Sequence, residues 1–452
     1  MSKRGCNKGA VTMKILRSTA ALLLLFFLAA ISGACTKVPA KDSGSEWRIV
    51  PTANSHITLR FISSWGGVDS KAETLKQVLS EFENKNPGIT IVNESLFGED
   101  FLPKIKTDFA TGNDPDVFGL WPGSDMKKLV MAGKVADLTG LLDSDPEWKG
   151  KFNPAMWSYT TYNERIYGLP FEIIFECMFI NRDLFETYDV KVPESFDELM
   201  EAVRIFNDND IVPIAFNTEA EGTYLYQNLV PVVGGKQDTE SPFTADRKIK
   251  QSHITALNLI KELYDMEAFP RDCFTMTNNE RNVLFKEKKA AMIVQGSWYI
   301  GEFGPDDDTV DIIPFPWVKG YENHKNTMVY GLGGGTFHMS SAAWEDENRK
   351  EASVKLLRYL TSSESAAQFA VNTGMISNVS LDGYEIDYID MTIKGMRMLE
   401  EADTLVGPLD SLVDRTAWEK YIAEQFPYFL SGKITAAQMW KTAIENGIIL
   451  DD

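Results

Sequence analysis

At 452 residues, the chain exceeds the roughly 250 to 300 residues at which a single hydrophobic core stops growing, so two domains are expected. Its hydrophobic share of 44% and charged share of 24% are those of ordinary globular proteins, and no low-complexity tract or repeat period is present, which excludes disordered and solenoid classes. A formal net charge of −20 repels phosphate backbones and excludes nucleic acid as the expected partner, although acidity by itself can mean no more than solubility.

The N-terminus reads as a secretory signal. Basic residues up to Arg17 precede the apolar run Ala20 to Ile31, and the small residues Ser32, Gly33 and Ala34 come just before Cys35. About a dozen apolar residues fall short of the roughly 20 needed to span a bilayer, so removal is expected in preference to a permanent anchor. Loss of residues 1–34 takes five basic residues and no acidic ones, leaving 40 basic against 65 acidic. Met13, followed by Lys14, is an alternative start. Residues 36–55 are polar and turn-prone, as expected of a flexible tether. Beyond them only Cys177 and Cys273 remain, without CxxC or His-paired metal spacing. Buried free thiols are expected, one bridge being the alternative. No metal or cofactor is expected, and four unclustered His argue against a zinc hydrolase.

From His56 to Ile62 the chain alternates as a strand, and Ser63-Ser64-Trp65-Gly66-Gly67 breaks it. From Ser70 to Glu83, Ala72, Leu75, Val78, Leu79 and Phe82 recur at helical spacing until Asn86-Pro87-Gly88. Ile89 to Val92 is a second strand, completing a unit of a parallel α/β sheet. Phe101 to Ala110 reads as a helix, Pro115 to Trp121 as a buried strand emptying into a loop, and Thr416 to Asn446 as amphipathic helices. Ligand crevices of open α/β sheets lie beyond the carboxyl ends of strands, which places Trp65 and Trp121 on a crevice.

The succession FENKNPGITI, FATGNDPDVFGLW, MAGKVADLTGLL, YNERIYGLPFEIIFECMFINRDLF, KVPESFDEL, KKAAMIVQGSWYI and ASVKLLRYLTSSESAAQF resembles the family 1 extracellular solute-binding proteins of ABC importers, in the family's order from about Ile57 to the C-terminus. The run ISGAC resembles a bacterial lipobox, with Ser32 where a large apolar residue is usual, so cleavage by an ordinary signal peptidase stays open. Those resemblances imply a lipidated Cys35 on an extracytoplasmic face and a two-lobed, hinged α/β fold of the type II periplasmic-binding-protein kind. They imply a first lobe of 56–163 plus 312–368, and a second of 164–311 plus 369–452. The implied function is capture of a carbohydrate between the lobes and delivery to the permease's transmembrane subunits, by a monomer tethered through lipid, with no enzymatic step.

A sugar site needs flat aromatic faces for C–H surfaces and carboxylates or amides for hydroxyls, and ten Trp residues suit it. The resemblance points to Trp298 in Gly296-Ser297-Trp298, to Trp418 at the start of a C-terminal helix, and to Trp121 with Asp125, for which a helix N-cap is the alternative. It also points to Tyr224, with Tyr226 as rival, and to Glu172 after Leu169-Pro170-Phe171. A carboxylate in the apolar run FEIIFECMF is costly to bury without a partner, so an ion pair involving Glu172 or Glu176 is the alternative there. Gly331 to Gly335 lacks the Lys-Ser/Thr of a phosphate loop; either it brings backbone, with Gly334, close to ligand or it is a tight bend. Glu99 and Asp410 complete the candidates. A polyamine, peptide or iron ligand, or a secreted glycoside hydrolase with paired carboxylates, are the alternatives.

Overall fold

The first alternating run folds as read. In the computed structural model, which describes residues 56–304 and 307–450, strand Ile57–Ile62 leads through Ser63-Ser64-Trp65 into helix Ala72–Lys85. Leu75, Val78, Leu79 and Phe82 form the buried face of that helix, at the spacing their sequence predicts. Strand Ile89–Asn93 then returns parallel to the first. Helix Phe101–Thr111 ends at Gly112, whose φ of 77° is the left-handed conformation that lets a helix stop without a Cβ clash. Strand Val117–Gly119 joins the other edge of Ile57–Ile62, again parallel. Thr336–Met339 and Leu169–Pro170 extend this first sheet antiparallel, giving five strands.

A second sheet is built around Glu172–Asn181, all ten of whose residues are buried. On one edge it pairs with two strands end to end: Thr327–Leu332 opposite Ile173 to Glu176, and Val310–Ile313 opposite Met178 to Asn181. On the other edge lie Ala290–Gly296 and Ile376–Ser377. Val212–Ala215 and Thr404–Val406 close the sheet. Alternation along the long strand sends Phe175, Cys177 and Phe179 into one core and Met178 and Ile180 into another. A strand packed on both faces reads as a continuous apolar run, which is how this one reads.

Three segments pass between the two sheets, and backbone hydrogen bonds tie them together. Phe171 is the single residue between Leu169–Pro170 and Glu172–Asn181; its N–H donates to the Gly335 carbonyl and its carbonyl accepts from Asn378 N–H. Gly333-Gly334-Gly335 links Thr327–Leu332 to Thr336–Met339, and Gly333 N–H donates to the Glu172 carbonyl. This corrects the expected division. Val310–Ile313 and Thr327–Leu332 belong to the second sheet, so the chain crosses back at Gly333–Gly335 rather than near residue 312; it first crosses at Phe171, within ten residues of the boundary set at 163. The 312 boundary failed because the second sheet takes two further strands before the chain leaves it.

Helix Asn278–Lys286 begins with a reciprocal capping box between Thr277 and Glu280, and Phe196–Asp208 with one between Ser195 and Glu198. Each such cap contributes about 1 kcal/mol. The C-terminal stretch forms helices Arg415–Tyr421, Phe426–Leu430 and Ala436–Glu445, as expected. Cys177 and Cys273 are buried and free, so the alternative of a bridge between them does not hold.

Candidate functional site

The carboxyl ends of the first sheet's strands and one face of the long strand enclose a cavity with about 740 Å³ of open space, partly continuous with solvent. Side-chain alternation explains the second wall: Glu172, Ile174 and Glu176 point into the cavity while Ile173 and Phe175 point into core. Two buried carboxyls four residues apart on a strand must share a face, and here that face is the site.

Aromatic rings arrive from four separate segments. Trp65 follows the first strand and packs its indole on Phe369 and Phe337, at centroid distances of 4.9 and 5.6 Å. Trp121 follows Val117–Gly119 and meets Phe101 edge-on. Trp298 sits in the turn after Ala290–Gly296, and Tyr224, at the start of helix Tyr224–Glu240, meets it edge-on at 5.5 Å. Gly296 makes that turn possible, because a Cβ there would lie 2.0 Å from the Trp298 ring.

Charged groups line the remaining wall, mostly in partnered form. Lys71 Nζ is 3.2 Å from Glu172 Oε1, and Gly335 N–H donates to Glu172 Oε2. Burial works to lower the Lys71 pKa, but the charges of Glu172 and Asp69 and the Glu172 hydrogen bond outweigh it and hold the ammonium above its usual value. Arg415 Nη1 donates to Asp410 Oδ2 at 2.6 Å. Glu221 accepts from Arg281 at 2.7 Å and from Gln295 at 2.8 Å. Burial, then the nearby Asp410 charge, raises the Glu176 carboxyl well above the carboxylate range, against a hydrogen bond from Asn228 Nδ2. Burial likewise pushes Asp69 up to about 6.

The glycine run at 331–335 is required by close approach. A Cβ at Gly333 would meet Glu172 Oε2 at 2.3 Å, one at Gly334 would meet Ser64 Oγ at 2.3 Å, and one at Gly335 would meet the Trp65 ring at 2.6 Å. The run is therefore both a tight crossing and, at Gly333 and Gly334, cavity wall.

Seven of the expected site residues thus meet on one cavity: Trp65, Trp121, Glu172, Tyr224, Trp298, Gly334 and Asp410. Tyr226, the rival of Tyr224, is fully buried, hydrogen-bonded to His253 and Trp440. Trp418 is a correction. It is 0% exposed, stacked on Tyr226 at 5.9 Å and packed on Trp440, because the apolar face of its helix turns into the second sheet's core. Asp125 is another: it lies off the cavity in an ion pair with Lys106 at 2.9 Å, inside the first turn of helix Ser124–Met131, and it does not cap it. An acid there still suits the helix dipole. The side chain of Glu99 and the whole of Cys35 lie outside the described residues; Gly98, beside Glu99, lines the cavity.

Sequence reasoning missed Asp69, Lys71, Glu221 and Arg415 as cavity walls. Arg415 is one helical turn before Trp418, so the expected segment was right and the residue was not. Contacts also bridge the two sides of the cavity: Lys128 pairs with Asp414 at 2.6 Å, Arg415 N–H donates to Ser124 Oγ at 2.8 Å, and Ser70 Oγ donates to the Trp298 carbonyl.

A family model described as bacterial extracellular solute-binding protein matches residues 68–367. The multiple sugar-binding protein of Streptococcus mutans is 22% identical over 416 residues, covering 88% of each chain. The melibiose/raffinose/stachyose-binding protein MelE of Bacillus subtilis is 22% identical over 72% of this chain and 76% of its own. Among solved structures, a chitin oligosaccharide binding protein superposes with a TM-score of 0.76 at 20% identity, covering 86% of this chain and 98% of that one. This likeness gives the fold: two α/β lobes of the type II periplasmic-binding-protein kind, hinged around a cleft.

Proposed function

The chain belongs to the family of bacterial extracellular solute-binding proteins, and from that premise we propose that it captures a neutral carbohydrate between its lobes and presents the closed form to the permease of an ATP-driven importer. The observation that carries this reading is the convergence of Trp65, Trp121, Tyr224 and Trp298, from four segments and both sheets, on one cavity rimmed by carboxyl groups. Indole faces stack on sugar C–H surfaces, and fixed carboxylates and amides take the hydroxyls. No bond is made or broken.

The lobes divide at Phe171 and Gly333–Gly335, with a third crossing near Ile376, and these hydrogen-bonded crossings form the hinge. Ligand binding shifts the population toward closure because groups from both lobes touch it only when closed. Relatives whose names state a sugar ligand support the substrate class. A calorimetric titration with neutral mono- and oligosaccharides tests the reading: saturable binding is expected, and binding of amines or peptides with no sugar response would refute it.

Residues 1–34 act as the signal, Cys35 carries the lipid and residues 36–55 form the tether, holding a monomer outside the cytoplasm. Among the described residues no helix is long and apolar enough to cross a membrane. Cys35→Ser should release the protein from cells into the medium.

One observation favours a hydrolase as the second reading. Glu176, whose buried carboxyl is raised well above the carboxylate range, lines the same cavity as Asp410, which Arg415 partners, and a pair of carboxyl groups facing one cavity is what glycosidases use. Incubation with labelled oligosaccharides separates the two, since capture predicts recovery of intact sugar.

A further inference from the structure

Three acids on the cavity wall are each met by a cation: Glu172 by Lys71, Asp410 by Arg415 and Glu221 by Arg281. Glu176, 2% exposed in the same wall, has an amide instead, for Asn228 Nδ2 donates to its Oε2 at 2.8 Å. A carboxyl buried beside an amide rather than a cation takes up a proton in preference to carrying a charge out of water. Its pKa, raised by burial and then by the Asp410 charge, agrees with that.

The direction of this hydrogen bond is fixed. Asn228 Nδ2 also donates to the Tyr224 carbonyl at 2.9 Å, so both amide hydrogens are spent on acceptors and the amide cannot be turned over. Glu176 Oε2 is therefore the accepting oxygen, and the acid proton belongs on Oε1. Among the described residues no hydrogen bond involves Oε1. The preceding helix residue holds the neighbouring acid, since Gln227 Oε1 accepts from the Asp410 N–H at 3.3 Å. The two strands flanking Glu176 set Gly296 and Val329 opposite it, neither of which titrates. The titratable groups that share its cavity are Asp69, Lys71, Glu172, Glu221, Tyr224, Asp410 and Arg415.

Resting on the carbohydrate reading above, we propose that Glu176 is a specificity-determining residue, presenting a carboxylic O–H rather than a carboxylate to an oxygen of the bound sugar. Ionised Glu172, Glu221 and Asp410 can only accept hydrogen bonds, whereas the ring and bridging oxygens of a sugar also only accept, so a protonated acid supplies a donor that those carboxylates cannot. Ionisation removes that donor. Affinity for sugar therefore falls as pH rises through the titration of Glu176, the reverse of what a carboxylate acceptor gives.

The experiment is calorimetric titration of the purified chain, Glu176→Gln and Glu176→Met with glucose, galactose, xylose, N-acetylglucosamine, maltose and cellobiose, following the tightest binder at about pH 6 and about pH 9.5. Glutamine keeps an oxygen for Asn228 and an N–H for the ligand without ionising; methionine keeps only the length. At the lower pH, Glu176→Gln should bind within about threefold of wild type and Glu176→Met at least about tenfold more weakly. Going to the higher pH, wild type should lose at least about threefold more affinity than Glu176→Gln. Asp69, with its pKa of about 6, is common to both proteins, so the difference between them belongs to Glu176. Thermal unfolding of each variant establishes that it is folded. Glu176→Gln binding as weakly as Glu176→Met, or a wild-type pH profile parallel to that of Glu176→Gln, overturns the donor role and leaves the carbohydrate reading standing. Binding of none of the six sugars by wild type overturns the carbohydrate reading, and the role of Glu176 with it.

Discussion

Lys71 Nζ and Glu172 Oε1 lie 3.2 Å apart with about 2 and 3% of their side chains exposed, the lysine just ahead of the first lobe's opening helix and the glutamate at the first residue of the strand that begins the second sheet. The pair joins the segment after the first strand to the start of the second sheet's long strand, in the wall of the cavity. Removing one partner of a buried pair leaves an uncompensated charge, which costs about 3 to 5 kcal/mol. Lys71→Ala should lower stability by that order in denaturant unfolding, and Glu172→Gln should cost a comparable amount. A change under about 1 kcal/mol in both would show that the pair does not hold these two segments together.

The pH dependence of that pair has a definite sign. Because the folded-state pKa of Lys71 is raised, its contribution is fully present below the unfolded value near 10.5 and is lost as pH rises through the folded value. Stability between pH 6 and 9 should therefore be insensitive to this lysine's titration, and alkaline unfolding above roughly pH 10.5 should be steeper in wild type than in Lys71→Met.

Asp69 acts in the same direction, at lower pH. Its carboxyl, moved by burial from 3.8 to about 6, keeps a proton in the folded state that the unfolded chain has released. Its contribution to stability thus falls as pH rises from about 4 to 6. Asp69→Asn keeps an acceptor for the Lys71 N–H, now donated at 2.9 Å, and removes the charge. We expect a flatter stability profile across that window and a gain of about 1 kcal/mol at pH 7, read by chemical denaturation at several pH values.

Trp298 and Trp418 should separate ligand contact from core packing. Trp298→Ala empties a cavity wall and should weaken ligand binding by about 1.5 to 3 kcal/mol with a smaller effect on folding. Trp418→Ala opens a hole between Tyr226 and Trp440 and should cost about 3 to 5 kcal/mol of stability, while the folded fraction keeps its affinity within about threefold. Titration calorimetry paired with unfolding curves for both variants decides it.

Much of this architecture could be read from residue spacing. Leu75, Val78, Leu79 and Phe82 gave their helix through a period that depends only on local geometry, and the run from Ile173 to Ile180 gave a doubly buried strand through its lack of polar interruption. Glu172 stood out because a carboxyl in such a run needs a partner. Which partner was not legible: Lys71 follows Asp69-Ser70 ahead of a helix, where a lysine reads as solvated, and only the fold brings it to a residue about a hundred positions away. The same limit explains Trp418 and Arg415. Their segment reaches the cavity, but which side of a seven-residue helix faces the ligand depends on how that helix docks, and the arginine took that side.

The most direct test of the central claim is a thermal-shift screen of the purified protein against neutral carbohydrates, polyamines and peptides. A ligand at 100 times its Kd adds about 2.7 kcal/mol to stability. A rise in Tm is expected with at least one neutral carbohydrate, diminished in Trp121→Ala and Trp298→Ala. No response to any carbohydrate, together with a rise on adding a polyamine or a peptide, would contradict it.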